Sequence, residues 1–74
     1  MAVTAQKINE WFGRPLIAGV PEQHEHGAEK IRVSLEAAAH TIRREVPEGA
    51  EQSRAITRLR DTLDAGVRGM KCSP

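Results

Sequence analysis

Between residues 29 and 67, apolar side chains return at intervals of three and four on both sides of Val46-Pro47-Glu48-Gly49. That spacing is one face of a helix. Pro47 interrupts it, because the residue before a proline is pushed out of the helical region. The stretch therefore reads as two amphipathic helices on a short hinge. Ala28, Ile31, Leu35, Ala38, Ile42 and Glu45 or Val46 form a coiled-coil-like seam on the first. Ile56, Leu59, Leu63, Gly66 and Met70 repeat it on the second, widened by Ala55, Thr62 and Val67. A connection this short is typical of an αα-hairpin, so the two helices are expected to be antiparallel neighbours. The spacing predicts helix two over 22–46, helix three over 49–70 and a loose tail over 71–74.

The preceding residues hold a short helix and a loop. Thr4 is a suitable cap for a helix over 4–12, in which Ile8, Trp11 and Phe12 share one edge. Two turns are marginal alone, so this helix has to dock. Residues 13–21, GRPLIAGVP, combine two Gly and two Pro with aliphatic side chains and read as a loop lying on apolar surface. Pro21 suits a first helical position, with Glu22 and Glu25 in the turn where the dipole favours negative charge. Gly27 weakens that start. Ala28, Ala37, Ala38 and Ala39 allow a close neighbour, and Arg43 and Arg44 complement the carbonyl end of helix two. On helix three, Arg58 with Asp61 and Arg60 with Asp64 are spaced for surface pairs.

A chain of 74 residues is one domain. At that size a single core rarely supplies more than about 3–5 kcal/mol, and a staple is usual. The single cysteine, Cys72, excludes an internal disulfide and fits a reducing compartment. Oligomerisation is then the expected staple. Two rods of ~33 Å, from 1.5 Å per residue, are not expected to enclose both stripes under one short helix. The longest apolar run, Ala37-Ala38-Ala39, is far short of a membrane span. Met1-Ala2-Val3-Thr4 begins no secretory signal, so a soluble cytoplasmic protein is expected. A net charge of +1 and a pI near 8.0 argue against bulk DNA binding. Basic residues are nonetheless clustered at Lys30 and Arg32, at Arg43 and Arg44, at Arg54, Arg58 and Arg60, and at Arg68 and Lys71.

Catalytic and metal chemistry find little footing. His24 and His26 point about 200° apart on a helix, whereas chelation wants i, i+4 spacing, so neither they nor His40 reads as a metal ligand. A hydrogen bond suits His40 better than catalysis. Cys72 has only Lys71 close by, without a base or orienting acid. The protein is expected not to be an enzyme and to need no cofactor. Arginine matches phosphate with paired donors and stacks on bases, and Arg32 is the best placed, beside Lys30 and Ser34. Antiparallel packing would bring Arg68 and Lys71 to the same region. With Trp11, Phe12 or Arg14 they would form an anionic nucleotide pocket beside the early backbone donors of helix two.

Ile31-Arg32, then Pro47 fifteen residues on, then Glu51, Ser53, Ala55, Ile56, Thr57 and Leu59 form a pattern that resembles a known family. These are the small hairpin-domain phage proteins that sponge cyclic oligonucleotides to block cyclic-oligonucleotide-based antiphage signalling, the anti-CBASS sponges. The match spans residues 29–63, about half the chain. The resemblance implies an all-α fold: a short N-terminal helix followed by a long antiparallel helical hairpin that oligomerises, as dimer-based hexamers. It implies composite pockets between subunits that bind cyclic dinucleotides and, separately, cyclic trinucleotides without hydrolysis, in an infected bacterial cytoplasm. It makes Arg32 a phosphate or base contact and Ser34 a polar contact, and it sets Trp11-Phe12-Gly13-Arg14-Pro15 in the place of the family's aromatic lead-in. The chain departs from the pattern in having no tyrosine, and in Asp64-Ala65-Gly66-Val67-Arg68-Gly69 where the family has a tryptophan and an Ala-Asn-rich helix end. A second reading is a helical oligomeric interaction protein that holds a host or phage protein through its apolar stripe. Direct DNA binding through Arg54, Arg58 and Arg60 ranks third.

Overall fold

The computed structural model describes residues 3–72. It is all-helical, with α1 over Ala5–Trp11, α2 over Glu25–Glu45 and α3 over Ala50–Cys72. Single 3-10 turns at Arg14–Ile17 and Glu22–His24 lie between α1 and α2. Among the described residues there is no strand, and no helix is long and apolar enough to cross a membrane.

Local chemistry accounts for the element ends. The Thr4 hydroxyl accepts the Lys7 backbone N–H at 3.1 Å, so α1 starts on a side-chain cap. Helix two begins at Glu25, three residues later than its apolar pattern allows. Pro21 enters extended and its carbonyl takes the His24 N–H at 2.8 Å, which closes a 3-10 turn instead of an α-turn. Val46 is extended before Pro47 and ends α2. The expected tail is corrected over its first half: Lys71 and Cys72 are helical, and residues 73 and 74 lie outside the described residues.

Both ends of α2 touch α3. Near the hinge, Gln52 Nε2 donates to the carbonyls of Arg43 and Val46, both at 3.0 Å. At the far end the Met70 methyl comes within 3.7 Å of where a Cβ would stand on Gly27, so this glycine gives room to a neighbour. Between these points Ala28 and Ala39 of α2 and Ile56, Leu63 and Val67 of α3 are buried. Ile31, Leu35, Ile42, Leu59 and Met70 pack partly exposed against them. Gln52 is only 4% exposed although it is polar. It stands four residues before Ile56, at the head of the same stripe.

The lid is larger than the two-rod estimate allows. Ile8 of α1 and Phe12 just after it are fully buried, Val3 and Val20 join them, and Trp11, Leu16 and Ile17 pack alongside. His40 Nε2 lies 3.0 Å from Asn9 Oδ1 and ties α1 to α2. Val33 is the large hydrophobic residue left exposed among those described, at 47%. Part of the cover that the two rods lack thus comes from this chain itself. The loop over residues 13–21 supplies the cover that counting rods leaves out. Ile31, Leu35, Ile42, Leu59 and Met70 stay partly exposed along the stripe.

Gln52 gives a direct test of the hinge. The Arg43 carbonyl is among the last four of α2 and has no intrahelical partner. Gln52→Ala removes its donor and that of Val46 together. A loss of about 1–2 kcal/mol is expected, read as a lower urea midpoint at an unchanged m-value.

Candidate functional site

Arg32 occupies the junction of α1 with α2. Its Nη1 donates to the Phe12 carbonyl at 2.8 Å, and its Nε donates to Glu29 Oε1 at 3.1 Å. Nη2 also pairs with Glu29 Oε1, and Nη1 lies 3.4 Å from Glu36 Oε2. Phe12 follows the last turn of α1, so a cation at its carbonyl complements that end of the helix. The side chain is 12% exposed. Sequence reasoning makes Arg32 a ligand contact; in the structure its guanidinium faces partners within the chain. Four of its five N–H donors have partners within the chain, and Glu29 and Glu36 beside it oppose an approaching phosphate. Arg32 instead fixes where the chain leaves α1, and with it the position of Gly13 and Arg14.

Two adjoining hollows open beside that junction, on the first turns of α2. One, of about 540 Å³, is bounded by Arg14, the loop from Ile17 to Val20, Glu25, His26 and Glu29. The other, of about 420 Å³, is bounded by His26, Glu29, Lys30, Val33 and Ser34. They share His26 and Glu29, and each falls in the size range of small-molecule sites. The Arg14 side chain is 80% exposed and its Nε stands 3.7 Å from Glu29 Oε2, a weak surface pair that leaves most of its donors outward. The loop wall turns at Gly19, whose φ of 85° is a region that side chains with a Cβ avoid. Lys71 Cε and Nζ lie 3.5 and 3.6 Å from where such a Cβ would stand. The last turn of α3 thus reaches the same end of the molecule as Arg14.

Arg14, Lys30 and the Ser34 hydroxyl can donate to anionic oxygens, while Val20 and Val33 offer apolar wall. Glu25 and Glu29 make the charge mixed. The other anticipated residues lie elsewhere. Trp11 lines a separate hollow of about 230 Å³ with Thr57 and Arg60, and Lys7 Nζ sits 5.9 Å from its ring centroid, a cation–π contact. Phe12 is wholly buried and offers no exposed surface. Arg68 is exposed and lines neither hollow on α2. Glu29 and His26, which sequence reasoning did not place here, are the residues common to both. Glu29 was legible only as the i−3 partner of Arg32.

Among the described residues no group of three or more His, Cys, Asp or Glu is arranged to hold a metal ion. Of the arginines considered for DNA, Arg54 pairs with Glu51 at 2.7 Å and Arg60 Nε lies 3.9 Å from Asp64. Arg58 and Asp61 form no pair among the described residues.

The hydrogen bond from Arg32 holds the Glu29 carboxyl below the usual glutamate range, aided by the positive charges of Arg32 and Arg14. The same bond raises Arg32 further into its protonated range. Because the folded value of Glu29 is depressed, the unfolded chain takes up the proton first as pH falls. The stabilisation is complete above the unfolded glutamate value, about 4.3, and is lost as pH falls through the lower folded value. In an acid titration followed by circular dichroism, Glu29→Gln is expected to flatten the stability profile in that window.

Comparison of the chain with protein-family models, with curated proteins and with solved structures finds no match.

Proposed function

We propose that the chain is a non-enzymatic sponge. It binds cyclic oligonucleotides, cyclic dinucleotides or trinucleotides or both, and holds them uncleaved so that phage-directed immune signalling fails. The observation that carries this reading is the string from Ile31-Arg32 through Pro47 to Leu59, which resembles the anti-CBASS sponges. It is supported by the position of that string: Arg32 anchors the end of α1 beside two hollows bearing Arg14, Lys30 and Ser34. In this reading α2 and α3 are an antiparallel hairpin that assembles with further copies. Trp11 and Arg68, remote from the hollows on their own chain, then serve the composite pockets from a neighbouring subunit. Arg32 acts by positioning, while Arg14, Lys30 and Ser34 touch phosphate or base.

Protein purified from cells that make cyclic nucleotides, then heated, tests the proposal. The released material should absorb as nucleobase and have the mass of an intact cyclic oligonucleotide. Release of no nucleotide from saturated cells would count against it.

A further inference from the structure

A third hollow, of about 440 Å³, lies at the hinge, where α2 hands over to α3. Residues at the start of α1, the last turn of α2, the hinge and Gln52 enclose it. Arg43 and Arg44 bring two cations, against the single carboxylate of Glu48. Neither arginine pairs with a carboxylate among the described residues; Arg44 Nη2 reaches only the Thr41 hydroxyl, at 3.4 Å. The hollow also stands at the start of α3, the positive end of that helix.

Gln52 is the sharper observation. Its Nε2 is committed to two carbonyls, which fixes which end of the amide is which. Its Oε1 is covered and has no protein partner, and the same is true of Arg43 Nε. Two residues that border the same hollow thus carry a buried acceptor and a buried donor, each with a desolvation penalty until it is matched. A simple anion answers only the donor. Its oxygens would oppose Gln52 Oε1.

We propose that the hinge hollow binds a protonated phosphate group, with inorganic phosphate as its simplest ligand. Both forms of inorganic phosphate near neutral pH keep a P–OH. That hydroxyl donates to Gln52 Oε1, while the remaining oxygens accept from Arg43 and Arg44. Gln52 Oε1 and Arg43 Nε are both covered in the free chain, so seating the ligand displaces the side chains that cover them. Sulfate has the same shape and no proton to donate, and a site built around a hydrogen bond discriminates against an analogue that lacks it. The diester phosphates of a cyclic oligonucleotide lack the P–OH too, so this site is separate from the sponge reading and does not depend on it. A phosphate monoester carries the proton only below its second pKa of about 6.

The test is a titration of the full chain at constant ionic strength, followed by backbone amide shifts. Inorganic phosphate, sulfate and a nucleoside monophosphate at acidic and alkaline pH are the probes. Phosphate should saturate with shifts centred on residues 43–53 and bind at least about tenfold more tightly than sulfate. The monophosphate should act through this site only on the acidic side. Arg44→Gln, at an exposed position where folding is safe, should weaken phosphate about tenfold, and Arg43→Gln more. Equal affinity for sulfate, shifts centred on Arg14 and Lys30, no saturation, or an Arg44→Gln chain that binds as before would each overturn the assignment.

Discussion

Phe12→Ala is expected to leave the chain largely unfolded at room temperature. Phe12 is wholly buried, with Ile8 beside it in the same core and Ile56 and Leu63 contributed by α3. Truncating a buried phenylalanine to alanine typically costs about 3–5 kcal/mol. A core in a chain this short supplies about as much in total. The helical circular dichroism signal should collapse without denaturant, while Phe12→Leu, which keeps most of the volume, should retain it. The result also decides a role. Were Phe12 an exposed stacking residue, as its place in the aromatic lead-in implies, Phe12→Ala would melt like the parent chain and lose only ligand.

The second large effect is expected at Arg32. Arg32→Ala withdraws a charged donor from the Phe12 carbonyl and parts Glu29 and Glu36 from their cation. Loss of the carbonyl bond alone is worth about 1.5–3 kcal/mol. The loss should appear in urea denaturation, and it should be greatest at α1. Amide exchange at Ile8, Trp11 and Phe12 should quicken more than exchange in the middle of α3, because the clamp holds α1 and does not hold the α2–α3 contact. Arg32→Lys should recover only part of the stability, since an ammonium cannot present the planar fork that spans the carbonyl and the carboxylates. A residue serving ligand alone would leave stability and exchange unchanged.

The helices were legible because their periodicity is long and uninterrupted, and Pro47 marks the break in it. Thr4 was readable because a cap is a local matter, whereas the room that Gly27 gives to Met70 depends on a residue of α3. Gln52 escaped because a polar side chain at the head of an apolar stripe looks like the end of the stripe. Only its two bonds to the turn before it explain its burial. The site was legible in composition more than in arrangement. Arg14, Lys30 and Ser34 do meet around adjoining hollows, but Arg32 turned inward. Its partners, Glu29 at i−3 and Glu36 at i+4, are visible in the sequence, whereas the Phe12 carbonyl that completes the clamp lies 20 residues away. The aliphatic side chains among the Gly and Pro of residues 13–21 mark a loop lying on apolar surface. How much of the stripe it covers depends on a path that residue types do not specify.

Calorimetric titration of the purified chain with a panel of cyclic di- and trinucleotides, followed by heating of the complex and mass analysis, tests the sponge reading most directly. Saturable binding of at least one member is expected, approaching nanomolar affinity, which is about −12 kcal/mol, with the nucleotide recovered intact. Absence of binding across the panel, or recovery of a linear product, would contradict it.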